Sequence, residues 1–141
     1  ALETLAKQIG IDGKVVFAGY VGQDEVREYL RQSDVFVLPS FAEGVPVSLM
    51  EAMACGVPVI ATYVGGIVEL IEPEKTGLMV SPSETLALAD AIARYLDSYA
   101  LRDGMSRLGR EKVEMDFNLD AELNKLEQLF REQILESDAS S

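Results

Sequence analysis

Four short apolar runs alternate with stretches of helical periodicity, and that alternation restricts the chain more than anything else in it. "KVVFAG" (14–19), "DVFVLPS" (34–40), "VPVIAT" (57–62) and "LMV" (78–80) are rich in β-formers and closed by Gly, Pro or a polar turn. They read as strands buried on both faces rather than as half-exposed alternating strands. Between and after them lie helical patterns at 1–9, 23–32, 47–55, 65–71, 81–97, 99–115 and 119–136. Strands separated by helices build βαβ units, so the expectation is an α/β fold: a Rossmann-like parallel sheet with helices on both faces. With 141 residues the chain fits one domain spanning 1–141.

The helical stripes are Leu2, Leu5, Ala6 and Ile9 in the first helix, and Val26, Tyr29 and Leu30 in the second. In the helix over 81–97 the stripe is Leu86, Ala89, Ile92, Ala93 and Leu96, capped by Ser83 or Ser81. Met50 and Met53 read as core residues, and Gly56 as the stop of the helix before it. Cys55 reads as a small packed residue at that helix end.

Composition removes several chemistries. A formal net charge of −12 argues against a nucleic-acid groove. It does not argue against an anionic small ligand, because backbone amides at a helix start can hold a phosphate. There is no histidine, so Ser-His, Cys-His and histidine-metal sites cannot be completed within the chain. The single cysteine cannot form an internal disulfide and is compatible with a reducing cytoplasm. No apolar run reaches the roughly 20 residues of a membrane-spanning helix. A dinucleotide fingerprint is absent, since "GYVGQDE" does not match GxGxxG.

The stretch "PSFAEGVPVSLMEAMACGVPVIAT" (39–62) is where a ligand would sit, because α/β sheets bind beyond the carboxyl ends of their strands. Gly44 permits a tight turn, and Pro46 suits the first turn of a helix. The N–H groups of Val47, Ser48 and Leu49 then open toward the loop. Glu51 lies on the face of that helix mouth, three residues after Ser48. A carboxylate offers acceptors, which suits a ribose diol and not a phosphate. Glu43, in the loop, faces what lies beyond the phosphate. By pattern alone Glu51 reads equally well as a solvated helix residue; for Glu43 a surface loop acid is the lesser alternative. Taken together they form a phosphate cradle between two hydroxyl acceptors, suited to a nucleotide-linked sugar.

"DVFVLPSFAEGVPVSLMEAMACGVPVIATYVGGIVELI" resembles the signature of the C-terminal domain of GT-B glycosyltransferases. It is most similar to glycosyltransferase family 4, retaining enzymes with a Glu-x7-Glu motif, here Glu43 to Glu51. "VVFAGYV" upstream and "TGLMV" downstream extend the resemblance over nearly the whole chain. It implies that Glu51 holds the nucleotide ribose and that Glu43 acts beside the reacting carbon of the sugar. The amides of Gly44, Val45, Pro46, Val47 and Ser48 would form the diphosphate cradle, with Pro46 itself lacking an N–H. Gly19, Tyr20 and Val21 would line the nucleobase. The donor would be a nucleoside-diphosphate sugar, with no metal and no other cofactor required.

The resemblance further implies that the acceptor, a glycan or lipid, is bound by an N-terminal domain outside this chain. The first two strands of the C-terminal domain would also lie outside it. The 14–18 and 34–38 strands would then pair with each other, receive a strand from another chain, or leave an exposed edge open to self-association. The parent enzyme would be cytoplasmic, at the membrane surface, and this piece alone would have no transferase activity. Two further readings stand beside this one. The chain could be a nucleotide-binding module completed by a partner, or an interaction domain in which the motif is vestigial.

Overall fold

The computed structural model describes residues 1–40, 47–116 and 119–139. Helix α1 (Leu2–Gln8) leads through a 3-10 turn (Asp12–Lys14) to α2 (Gln23–Gln32) and strand β1 (Phe36–Leu38). Then come α3 (Val47–Ala54), β2 (Val59–Thr62), α4 (Ile67–Leu70) and β3 (Leu78–Val80). Helices α5 (Thr85–Asp97), α6 (Tyr99–Asp116) and α7 (Leu119–Ala139) follow.

The described sheet has three strands in the order β1-β2-β3, all parallel. Phe36 stands beside Val59 and Leu38 beside Ala61; Ile60 stands beside Leu78 and Thr62 beside Val80. Every residue of β2 is buried. Its side chains alternate between two cores, as the pleat requires. Val59 and Ala61 join Leu30, Leu49, Met53, Leu70 and Val113 on one face. Ile60 joins Leu78, Ala91, Tyr95 and Met105 on the other. Helices thus cover both faces of the sheet, as the unbroken apolar runs require. Burying one such aliphatic side chain contributes about 1.5–3 kcal/mol.

Helix α3 ends where the sequence stops it. Gly56 has φ +73°, its N–H reaches the Met53 carbonyl at 3.0 Å, and the Val57 N–H reaches Ala52 at 3.0 Å. This left-handed close satisfies two terminal carbonyls. Two other glycines permit close approach. A Cβ at Gly77 would stand 2.8 Å from Val59 Cγ2, and one at Gly109 would stand 3.0 Å from the Thr76 carbonyl oxygen.

Tyr95 ties α5 to the sheet. It is fully buried, and its hydroxyl donates to the Val59 carbonyl at 2.9 Å with Met105 Sδ at 3.3 Å. Burial pushes its phenol well above the ordinary value, while a backbone hydrogen bond at Leu78 works in the opposite sense. Arg102 Nη1 donates to the carbonyls of Tyr95 and Leu96 at 2.7 and 3.1 Å, satisfying the end of α5. Arg94 forms a two-armed ion pair with Glu74, at 2.7 Å on each arm, joining α5 to the turn before β3.

Several expectations are corrected. The 14–19 run is neither a strand nor buried: Val15 is extended, at φ −121° and ψ 133°, and Val16 is 82% exposed. A doubly covered parallel strand needs a hydrogen-bonded neighbour, and no described strand borders this segment. β1 and the 15–19 segment therefore do not re-pair, and β1 is a half-buried edge. Of the α1 stripe only Ala6 is buried, and Tyr29 of α2 turns outward. In α5 the buried face is Ala91 and Tyr95 with Ala87, Leu88 and Ile92, whereas Leu86 and Leu96 are 81% and 57% exposed. Asp90, Arg94 and Asp97 share the opposite, polar side of that helix, and Tyr95, bonded to the Val59 carbonyl, stands in its inward face. Neither Ser81 nor Ser83 caps α5: Glu84 stands at its N-cap with no side-chain bond. Cys55 is exposed, because the left-handed turn at Gly56 swings the chain away just after it.

Replacing Tyr95 with Phe leaves the buried Val59 carbonyl without its hydroxyl donor. The expected loss is about 1–3 kcal/mol, read as a lower urea midpoint at unchanged slope. The hydrogen bond from Arg94 holds the Glu74 carboxyl below its ordinary value of 4.5, partial burial opposes this, and the Arg94 charge adds to it. The pair's contribution is therefore fully present above about pH 4.5 and is lost as pH falls through the lower folded value. Both side chains are largely exposed, so it amounts to less than about 1 kcal/mol. Urea unfolding from pH 7 to pH 3 should show a shallower acid loss in Arg94→Met than in the parent chain.

Candidate functional site

The candidate site gathers at the carboxyl ends of β1 and β2, from which the chain continues to α3 and to α4. Thr62, the last residue of β2, donates its hydroxyl to the Ser40 carbonyl at 2.6 Å. That bond fixes the exit of β1 next to the exit of β2 and so sets where the following loop departs. Residues 41–46 lie outside the described residues. Glu43, Gly44, Val45 and Pro46 are among them, so the catalytic expectation and the first part of the phosphate cradle have no described geometry.

Helix α3 begins at Val47, and Val47 and Ser48 are both exposed at its start. A first helical turn leaves its N–H groups without intrahelical acceptors and carries partial positive charge. Leu49, Met50, Ala52 and Met53 are buried and anchor the helix to the sheet. Glu51, between them, is half-buried. The apolar residues thus hold the helix, while Glu51 and the Val47–Ser48 end remain open to solvent.

Glu51 is not alone. Gln23, the first residue of α2, donates its side-chain amide to Glu51 Oε1 at 2.5 Å, across 28 positions of sequence. Gly22 occupies the N-cap of α2 without a side-chain cap, so the Gln23 amide is committed to Glu51 and not to its own helix end. Two residues before Gln23 ends the segment expected to line a nucleobase. Gly19 turns it with φ +67°, Tyr20 is fully exposed, and Val21 is half-buried. The Gln23–Glu51 bond therefore ties the start of α2, which directly follows the Gly19–Val21 segment, to α3. Those two groups of expected residues are 26 or more positions apart in the chain.

Gln23 is the residue that sequence reasoning missed. A glutamine opening an exposed helix carries no pattern, and its only signal is its closeness in sequence to Val21. Glu69 is exposed on α4. A hollow of about 170 Å³ at the strand ends is lined by Pro39, Thr62, Val80, Ser81, Ser83, Glu84, Thr85 and Leu88. Among the described residues no three His, Cys, Asp or Glu side chains are grouped to hold a metal ion. Among them, too, no helix is long and apolar enough to cross a membrane.

Chemically, the arrangement offers carboxylate acceptors on Glu51, an amide donor on Gln23, an exposed aromatic ring on Tyr20 and a helix N-terminus. A carboxylate accepts from hydroxyl donors, and a helix N-terminus favours an anion.

Comparison with known proteins gives a consistent pattern. The family model described as "Glycosyl transferases group 1" matches residues 1–98. The putative colanic acid biosynthesis glycosyltransferase WcaL of Escherichia coli K12 is 42% identical over 125 residues, covering 83% of this chain and 30% of that protein. Sucrose-phosphate synthase from Thermosynechococcus elongatus superposes with a TM-score of 0.84 at 36% identity, over 95% of this chain and 34% of that one. Anabaena Alr3699/HepE, crystallised with UDP, gives a TM-score of 0.82 over 93% of this chain and 36% of that one. At 21% identity it speaks for the fold alone. The chain thus spans about a third of the length of these relatives.

Proposed function

The chain belongs to the glycosyl transferases group 1 family, and from that premise we propose that it is the donor-binding part of a retaining GT-B glycosyltransferase of family 4, drawn from the C-terminal domain. The observation that supports this reading is the Gln23–Glu51 bond, which ties the start of α2, two residues after Val21, to α3 near its exposed first turn. Glu51 accepts hydrogen bonds from the ribose diol. The first-turn amides at Val47 and Ser48 hold the diphosphate together with the preceding loop. Gly19, Tyr20 and Val21 take the nucleobase.

In this reading Glu43 contacts the transferred sugar beside the anomeric carbon. The reaction passes a glycosyl group from a nucleoside-diphosphate sugar to a glycan or lipid acceptor with retention. Fixed backbone dipoles stabilise the leaving diphosphate, so no metal is required. The acceptor is held by a part of the enzyme outside these 141 residues. The names of relatives support biosynthetic glycosyl transfer, which we take to be of the hexosyl type: WcaL is named for colanic acid and Erwinia amylovora AmsK for amylovoran biosynthesis. The chain works in the cytoplasm, with the parent enzyme at the membrane surface. By itself it binds a nucleotide and does not transfer sugar.

Calorimetric titration of this chain with UDP, GDP and ADP should give weak binding of one of them. Glu51→Ala should weaken that binding by about 1.5–3 kcal/mol for each ribose hydroxyl deprived of its acceptor. A Glu51→Ala variant that binds the nucleotide as tightly as the parent chain would remove the ribose role. Turnover of a panel of nucleotide sugars by the isolated chain would overturn the division of labour.

A further inference from the structure

We propose that Gln23 is a positioning residue: it fixes the carboxylate of Glu51 so that its second oxygen is presented to the ribose of a bound nucleotide. The inference rests on the reading of Glu51 as the ribose acceptor and extends it to a residue that motif and family pattern do not mark.

Three observations carry it. The Gln23 amide donates to Oε1 of Glu51 at 2.5 Å from a helix 28 positions away. A long polar side chain on a surface gives up rotamer freedom when it is held in one geometry, and Gln23 is exposed. Nor does it serve its own helix, since α2 has no side-chain cap at its start.

The chemistry favours an amide at this position. One N–H occupies one lone pair of Oε1 and fixes the plane of the carboxylate. Oε2 and the remaining lone pair stay open to two adjacent hydroxyls. A lysine or arginine would also donate, but its charge would compete with the ligand hydroxyls for the carboxylate. A neutral donor orients Glu51 and leaves its charge for the ligand. Orientation held before binding does not have to be acquired during binding.

The test compares two ligands and four proteins. The nucleoside diphosphate that binds best among UDP, GDP and ADP is titrated against its 2′-deoxy counterpart. The proteins are the parent chain, Gln23→Leu, Glu51→Ala and the double variant. Gln23→Leu replaces an exposed side chain, and circular dichroism should show an unchanged thermal transition. The expected result is a loss of about five- to tenfold in affinity for the ribonucleotide in Gln23→Leu. The 2′-deoxy ligand should change less than about twofold, and the Gln23 substitution should have no further effect in the Glu51→Ala background. A general loosening of the fold would weaken both ligands alike.

If Glu51→Ala abolishes the preference for ribose and Gln23→Leu keeps it, the positioning role is overturned while the reading of Glu51 stands. If the Gln23 effect persists in the Glu51→Ala background, Gln23 acts independently of Glu51 and the proposal falls. A parent chain that binds no nucleoside diphosphate, or binds with no ribose preference, overturns the reading of Glu51 and this inference with it.

Discussion

Two hydroxyls bracket strand β2, and the rest of the fold is arranged around what they hold. At the start of the strand the Tyr95 hydroxyl donates to the Val59 carbonyl. At its end the Thr62 hydroxyl donates to the carbonyl of Ser40. Between them lies a strand with no exposed residue, paired on both edges. A buried strand cannot leave polar backbone groups unpaired, because each costs as much as a lost hydrogen bond. The first hydroxyl draws α5 down onto one face. The second aligns the exits of β1 and β2. The candidate site inherits its position from the same bond that completes the sheet.

The βαβ pattern was legible because apolar runs and glycine stops are local signals. α2 over 23–32 and β3 over 78–80 coincide with their expected bounds. What failed was whatever depended on a neighbour. Val15, Val16 and Phe17 carry the side chains of a buried strand, but strand formation is a property of a pair. With no described strand beside it, the segment stays extended and exposed. The α5 stripe failed because it took Leu86 and Leu96 inward, whereas the face opposite Asp90, Arg94 and Asp97, with Tyr95 bonded to the Val59 carbonyl, is the one packed on the sheet.

The candidate site divides in the same way. Glu51 could be placed on the helix-mouth face by counting, since three and four residues make one turn. Gly19–Val21 could be assigned to a ligand only through resemblance. The link between α2 and Glu51 was not visible, because it runs through Gln23, whose residue type and position suggest an ordinary solvated helix start. Residues 41–46, which the motif makes most important, have no described geometry, so the Glu43 half of the site still rests on the sequence.

The close approach of Gly109 to the Thr76 carbonyl sets a limit on how the chain can vary in length. Helix α6 must present position 109 to that carbonyl, where a Cβ would stand at 3.0 Å. Each residue inserted or removed between Tyr99 and Gly109 would turn that point of the helix by about 100°. A different side chain would then be driven into the Thr76 turn, and Met105, fixed under Tyr95, would be pulled off the other core. The first half of α6 therefore behaves as a ruler of fixed count. Beyond Val113, the last buried residue of α6, the helix carries no such constraint and its register is free to drift among homologous chains.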